Sequence, residues 1–462
     1  MPDAAPRKRS TVILISTVAA TGGLLFGFDT GVISGALPFL RDHWKLGDGP
    51  LGTLTTAVLA GAVLGSLFSG RVADILGRKK VMLFTAVVFL VGAVWTGFAP
   101  SYGSLGLGRG VVGLAIGIAS FATPLYIAEI APTRSRGALV SLNQLMITIG
   151  ILVSYLVDWL LANDANPESW RYMFLAGAAP AVVLFVGMLF LPETPRWLMA
   201  QGREAEGRAV LERVEDPELV DEAIRSMKAD AAAESRYKSS WSEVFQPWLR
   251  APLLIAILIF FFQQFSGINT IIYYSPIIFQ KAGFTSNAAS ILPSVIVGIV
   301  NVLFTFVSIL LLDRVGRRPL FLVGFSGLIV ALVALGLSFE FQAQLGGAAK
   351  WATVGSMLVF IAFFAMSLGP LGWLIISEVF PLRIRGIGAS IGSLSHWLWN
   401  AVIAYNFLTL LSAFGPARTF WLFAAVGVVG TIWGYFYLPE TKGHSLEQVE
   451  EHWLKGGRPS EL

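Results

Sequence analysis

Twelve separate stretches of this chain are each long and apolar enough to cross a lipid bilayer, which limits the fold more than any other feature. A span needs about 20 mostly apolar residues. Candidates lie at 12–38, 51–70, 81–99, 104–127, 139–162, 171–191, 253–279, 289–312, 319–339, 351–377, 387–412 and 418–438. Lipid offers no hydrogen-bond partner to the backbone, so each stretch must satisfy its own peptide groups as a helix. The expected fold is an all-α membrane protein of twelve transmembrane helices, arranged as six, a polar gap and six. The expected divisions are 1–192, a cytoplasmic helical linker at 193–250, 251–438, and a tail at 439–462. The composition agrees, with 13% charged residues where soluble chains carry about 25%.

Lysine and arginine concentrate in the loops that stay in the cytoplasm. Here the loops after spans 2, 4, 8 and 10 are basic: Arg71, Arg78, Lys79 and Lys80; Arg134 and Arg136; Arg314, Arg317 and Arg318; Arg383 and Arg385. The opposite loops hold few cations. Both termini and the gap are therefore expected in the cytoplasm. The first ten residues are polar and basic, and the apolar segment after them is too long for a signal-peptide core. The gap reads as two amphipathic helices, 203–214 and 217–233.

The chain also repeats itself, which is worth seeking early. Asp74-Ile-Leu-Gly-Arg-Lys-Lys80 matches Asp313-Arg-Val-Gly-Arg-Arg-Pro319. Glu129 to Gly137 matches Glu378 to Gly386, and Pro192-Glu193-Thr194 matches Pro439-Glu440-Thr441. Each motif falls at the cytoplasmic end of the equivalent span. Two related halves suit a rocking transporter with its site at the midplane between them. Glu129 and Glu378 are expected to pair with arginines such as Arg136 and Arg385, in ion pairs that form in one state and break in the other.

In this order over the whole chain, the motifs resemble the sugar porter branch of the major facilitator superfamily. The residues that carry the resemblance are Gly77-Arg-Lys-Lys80, Arg134-Ser-Arg-Gly137, Pro192-Glu-Thr-Pro-Arg-Trp-Leu198, Gln263-Gln-Phe-Ser-Gly-Ile-Asn269, Gly369-Pro-Leu-Gly-Trp373 and Pro439-Glu-Thr-Lys-Gly443. The branch includes bacterial xylose–proton and glucose–proton symporters and facilitative glucose carriers. The resemblance implies the major facilitator fold, alternating access and monosaccharide transport. It assigns sugar contacts to Gln144, Gln263, Gln264, Asn269, Asn301, Trp373, Trp397 and Asn400. Tyr273 and Tyr274 resemble an outer gate. His396 stands where an amide is common in the family.

The residues themselves point the same way. Polar side chains within spans are costly and usually functional. Amides both donate and accept, as sugar hydroxyls do, while indole rings cover apolar C–H faces. An anionic substrate would want a cationic cluster, and the polar spans contain none. Gly267, and Gly369 with Pro370, are natural bending points because proline removes a helix hydrogen bond.

Asp29 and Arg109 are the only charged residues well inside spans 1 and 4. Asp29 lies about 26 Å along its span and Arg109 about 7 Å from the other end of its own, which puts both in the outer part of the membrane. An unpaired charge there is expensive, so the two should pair. Protonation of Asp29 would then free Arg109 and link proton movement to sugar movement. The expected function is a proton-coupled monosaccharide symporter with glucose as the leading substrate; a facilitative uniporter is the alternative. Galactose, xylose, arabinose and inositol fit the same composition.

The chain has no cysteine and four scattered histidines, so no metal site, disulfide or cysteine nucleophile is expected. An enzyme would need a nucleophile–base pair or a phosphate loop, and a channel a filter sequence; neither stands out. No cofactor and no nucleic-acid partner is expected. The partners are a sugar, protons and membrane lipid, with the protein a monomer in a bacterial plasma membrane.

Overall fold

The computed structural model describes residues 4–132, 134–236, 241–381, 384–444 and 446–462; the side chains of 4–9, 229–236, 241, 242, 313, 446 and 447 are outside that description. Arg383 and the Asp313 side chain therefore lie outside the described residues. Twelve helices are long and apolar enough to span a membrane, and they run Ser10–Trp44, Asp48–Leu76, Arg78–Gly97, Tyr102–Ile130, Arg136–Leu161, Ser169–Phe190, Pro247–Lys281, Asn287–Leu312, Arg317–Glu340, Ala348–Glu378, Arg385–Phe414 and Pro416–Tyr437. They are spans 1 to 12 below. Most extend beyond the apolar stretches, because polar residues continue the helices out of the apolar zone. Arg41 and His43 thus belong to the last turn of span 1, and Arg71 lies inside span 2.

Within the first half, span 1 packs on span 5 and span 2 on span 4; within the second, span 7 packs on span 11 and span 9 on span 12. The halves meet through spans 1 and 7, 2 and 11, and 5 and 8. The seam between spans 1 and 5 depends on close approach. Gly23, Gly27, Gly31 and Gly35 recur every fourth residue on span 1 and face Asn143, Ile147, Ser154 and Asp158 of span 5. A methyl group on Gly27 would strike the backbone carbonyl of Ile147. Small residues at this spacing let membrane helices meet backbone to backbone.

The region between the halves forms Pro195–Ala200, Glu204–Val214, a 3₁₀ turn at Pro217–Leu219, and Val220–Arg236. Leu211, Val220 and Ile224 bury themselves against Met199 in a small separate cluster. A tail helix, Leu446–Leu454, is fastened by Trp453, whose Nε1 donates to the Val379 carbonyl at 3.0 Å. Neither the Pro195–Ala200 helix nor the tail helix follows from apolar periodicity alone, since both are short.

Candidate functional site

A cavity of about 470 Å³ lies between the two halves and opens toward the side that carries the linker. Its mouth is formed by Val140, Ser141, Leu312, Leu374 and Ser377, all near linker-side helix ends. That volume falls within the roughly 300–1,000 Å³ of small-molecule sites. None of the lining residues carries a carboxylate, ammonium or guanidinium group.

One wall comes from the second half. Span 7 breaks there: helix Arg250–Phe265 ends and helix Ile268–Lys281 begins around Gly267, whose φ is +89°. A left-handed backbone costs an L-residue roughly 1–2 kcal/mol but glycine little. The break presents Gln263, Gln264 and Asn269 together. Gln263 Nε2 donates to the Leu368 carbonyl at 2.7 Å. Gln264 Nε2 lies 3.2 Å from Gln263 Oε1 and 3.0 Å from His396 Nδ1, and Gln264 Oε1 accepts from Asn269 Nδ2 at 2.6 Å. This contact suits the His396 tautomer that carries its proton on Nε2, with Nδ1 accepting from the amide. Phe260 and Trp373 flank the His396 ring at 5.1 and 5.0 Å. Span 10 also breaks: helix Ala348–Phe363 passes through a π-helical turn at Phe364–Leu368 before resuming at Gly369–Glu378. Gly369, Pro370 and Trp373 all line the cavity.

The other wall is quieter. Gln144 and Asn143 of span 5 face Gly22, Gly23 and Phe26 of span 1 across this side of the cavity. Asn143 was not among the expected contacts, although its Oδ1 is buried without a hydrogen-bond partner. An amide directly beside Gln144 inside a span was signal enough to have found it. Asn301 and Asn400 complete the polar lining.

Trp397 departs from the expectation. It is buried outside the cavity wall, beside Phe26 at 5.3 Å, and lines a second small void with Asp29, Arg109 and Tyr273. That void, about 10 Å³, is near the lower limit for one water. Asp29 and Arg109 pair there, with 5% and 1% of their side chains exposed. Asp29 satisfies only part of the guanidinium: Arg109 Nε and Nη2 have no hydrogen-bond partner, and the Phe174 ring lies 5.5 Å away. Tyr273 lines both the void and the cavity. Its hydroxyl accepts from Asn400 Nδ2 at 3.1 Å, and Tyr274 donates to the Ala404 carbonyl at 2.7 Å. Tyr273 thus bonds within the second half, whereas the Tyr274 hydroxyl also meets the Thr55 side chain of span 2 in the first.

The side away from the linker is closed by bonds between the halves. Ser34 Oγ lies 3.1 Å from Ser275 Oγ, and Tyr155 donates to the Ile272 carbonyl at 2.8 Å. Asn287 donates through Nδ2 to Asp42 and through its backbone N–H to Asp164, each at 3.0 Å.

On the linker side, the repeated motifs form the same arrangement twice. Arg78 pairs with Glu129 at 3.0 Å and Asp74 at 3.1 Å, while Thr194 Oγ1 donates to Glu129 at 2.5 Å. Arg317 pairs with Glu378 at 2.8 Å, and Thr441 Oγ1 donates to it at 2.6 Å. The expected pairing of Glu129 with Arg136 is therefore corrected: Arg136 has no carboxylate at ion-pair distance among the described residues. The reason is placement, since Arg78 opens span 3 beside the end of span 4, where Glu129 sits. Arg385 likewise opens span 11, and Glu378 is held by Arg317 from its own half. Glu193 accepts from the backbone N–H groups of Arg78 and Lys79 at 3.0 and 3.1 Å, and Glu440 from those of Arg317 and Arg318 at the same distances. Each acid thereby satisfies the first orphan donors of a span and sits at its positive dipole end. Burial pushes the Glu193 carboxyl above its ordinary pKa, and these N–H groups oppose the shift.

Asp158 was missed altogether. It is fully buried near the end of span 5, and no side chain pairs with either carboxyl oxygen. From sequence, a charge four residues from a predicted span end reads as a headgroup anchor.

Residues 15–453 match the family model described as "Sugar (and other) transporter". The chain is 39% identical to the glucose transporter GlcP of Staphylococcus epidermidis, covering 95% of this chain and 96% of that one. It is 36% identical to the galactose-proton symporter of Escherichia coli, covering 100% and 99%. The inward-open structure of the E. coli xylose transporter XylE superposes with a TM-score of 0.83 at 30% identity, over 96% of this chain and 100% of that one.

Proposed function

The chain belongs to the sugar transporter family of the major facilitator superfamily, and we propose that within it this protein is a proton-coupled monosaccharide symporter working by alternating access. The observation that carries the reading is the juxtaposition of two sites. A charge-free cavity lined by amides and aromatic rings suits a neutral polyol, and Tyr273 joins it to a buried acid–base pair. Relatives named for glucose, galactose with a proton, and xylose support a monosaccharide substrate, and glucose is the first to try.

The sugar binds Gln144, Gln263, Gln264, Asn269, Asn301, Trp373, His396 and Asn400. Each hydroxyl replaces water in a wall whose groups both donate and accept. Coupling runs through Asp29. With Asp29 charged, Arg109 is held. A proton on Asp29 leaves the guanidinium with no counter-charge, which is costly at such burial. Tyr273 and Asn400 sit between the pair and the sugar, so sugar contact and the proton favour the same rearrangement of span 7.

The linker side is the cytoplasmic side, because the basic loops lie there. The cavity in this structure thus faces the cytoplasm, and both termini share that side. Residues 1–192 and 251–438 act as the two moving bodies, with the Arg78–Glu129 and Arg317–Glu378 clusters bracing the cytoplasmic end of each. One chain supplies the whole site, so a monomer in the plasma membrane suffices.

The test uses purified protein in liposomes loaded with a pH-sensitive dye. Adding the right sugar acidifies the lumen. If sugar enters without acidification, the protein is a uniporter and the role given to Asp29 falls.

A further inference from the structure

Asp158 is a fully buried carboxyl group that the transport mechanism above does not use. It lies at the far side from the linker, in the seam where span 5 meets span 1, and Gly35 packs so closely that a methyl group there would collide with the carboxyl. No side chain pairs with either of its oxygens, and the polar group nearest them is the Gly35 backbone.

No neighbouring cation is free to balance it among the described residues. On span 4, Arg109 is taken by Asp29. On span 1, Arg41 pairs with Asp48, Asp42 accepts from Asn287, and His43 lies against the Trp44 and Trp170 rings. On span 6, Arg171 is committed to Glu168 and to the carbonyls of Gly97 and Ala99. On span 7, Tyr273 accepts from Asn400, Tyr274 donates to Ala404, and Lys281 is exposed at the helix end. Span 8 brings no titratable residue at all. On span 5 itself, Tyr155 donates to Ile272. A fully buried carboxylate with no counter-charge is far costlier than the neutral acid.

We propose that Asp158 is a second proton-binding site, occupied while this face of the molecule is closed and emptied when the halves part there. The geometry supplies the link to conformation. Tyr155, one turn before Asp158, and Ser34, next to Gly35, are the residues that bond across to span 7. Separating the halves at this face removes Ile272 and Ser275 from beside the seam and admits water. Asp158 then releases its proton to that water and is solvated as the carboxylate. The proton on Asp158 therefore favours the closed arrangement, whether or not sugar flux is coupled through Asp29.

Infrared difference spectroscopy reads this directly. The chain has no cysteine, and the Ser34 and Ser275 oxygens are 3.1 Å apart, so a Ser34→Cys/Ser275→Cys disulfide holds the face closed. Subtracting the spectrum of this locked protein carrying Asp158→Asn from its locked parent, at neutral pH, should leave the carbonyl band of one protonated carboxyl group. A carboxylate band in its place overturns the proposal. If Asp158→Asn does not assemble, Asp158→Glu keeps the group and moves its frequency: a displaced acid band supports the site, and a displaced carboxylate band removes it. Because the readout is protonation, failure of sugar–proton coupling leaves the result intact.

Discussion

Spans 1 and 7 hold equivalent places in the two halves, yet they are built in opposite ways. Span 1 is one unbroken helix, pressed along span 5 by glycines at every fourth residue. Span 7 is two helices joined at a left-handed glycine, with its amides clustered around the break. Spans 4 and 10 repeat the contrast. Span 4 continues as a single α-helix through Pro124, whereas span 10 passes through a π turn ahead of Pro370. The half with unbroken spans 1 and 4, stiff in those two spans, holds the Asp29–Arg109 pair, and the half with jointed spans 7 and 10 holds most of the polar cavity wall. Across the repeated unit the labour is thus divided: the buried charge pair sits where spans 1 and 4 are unbroken, and most of the polar cavity wall sits where spans 7 and 10 are jointed.

The strongest way to break this comparison is to stop the halves from moving at all. A Ser34→Cys/Ser275→Cys disulfide should reduce sugar uptake in proteoliposomes to background, with full recovery on reduction. Uptake that survives oxidation would mean that the seam does not need to open. Next comes Asp29→Asn. Uphill accumulation driven by a pH gradient should collapse to simple equilibration while sugar counterflow continues. Should counterflow be lost as well, the pair in the stiff half is holding the sugar site, and the division fails.

A more local test is Gln264→Ala, which strips partners from Gln263, Asn269 and His396. Leaving such buried groups unpaired costs about 1–3 kcal/mol, so the apparent sugar affinity should fall roughly 5- to 150-fold. The proton-to-sugar stoichiometry should stay unchanged; a changed stoichiometry would put coupling in the jointed half too. The smallest effect is expected of Gly267→Ala. A side chain at this positive φ costs about 1–2 kcal/mol and would meet the Phe423 ring. The thermal midpoint should drop by a few degrees, with transport slowed more than sugar binding. An unaltered midpoint and rate would show that the break in span 7 is not a joint.

Much of this was legible in the sequence for physical reasons. Apolar length alone specifies spans, since lipid forces helix. The paired motifs specified two halves, because a repeat in sequence is a repeat in space. Asp29 and Arg109 stood out because charge within a span must be compensated. Partners were harder to read. Glu129 lies seven residues from Arg136 in sequence, yet Arg78 reaches it from another span, since loop order says little about which helix ends touch. Trp397 shares a span with His396 and Asn400 but turns to the ion pair, because neighbouring positions on a helix face different directions. Asp158 was hidden by its place near a helix end, where water or headgroups usually solvate a charge.

The glycine ladder of span 1 also bears on how such a protein can diversify. At each rung the neighbour is main chain or a close-packed side chain, so almost any substitution there is a collision and not a variation. That face has little mutational freedom, whatever is being carried. The opposite wall has amides, rings and an imidazole, whose exchange alters hydrogen bonding without moving a helix. New substrate preferences are therefore to be sought in spans 7, 10 and 11, while the surface on which they turn stays unchanged.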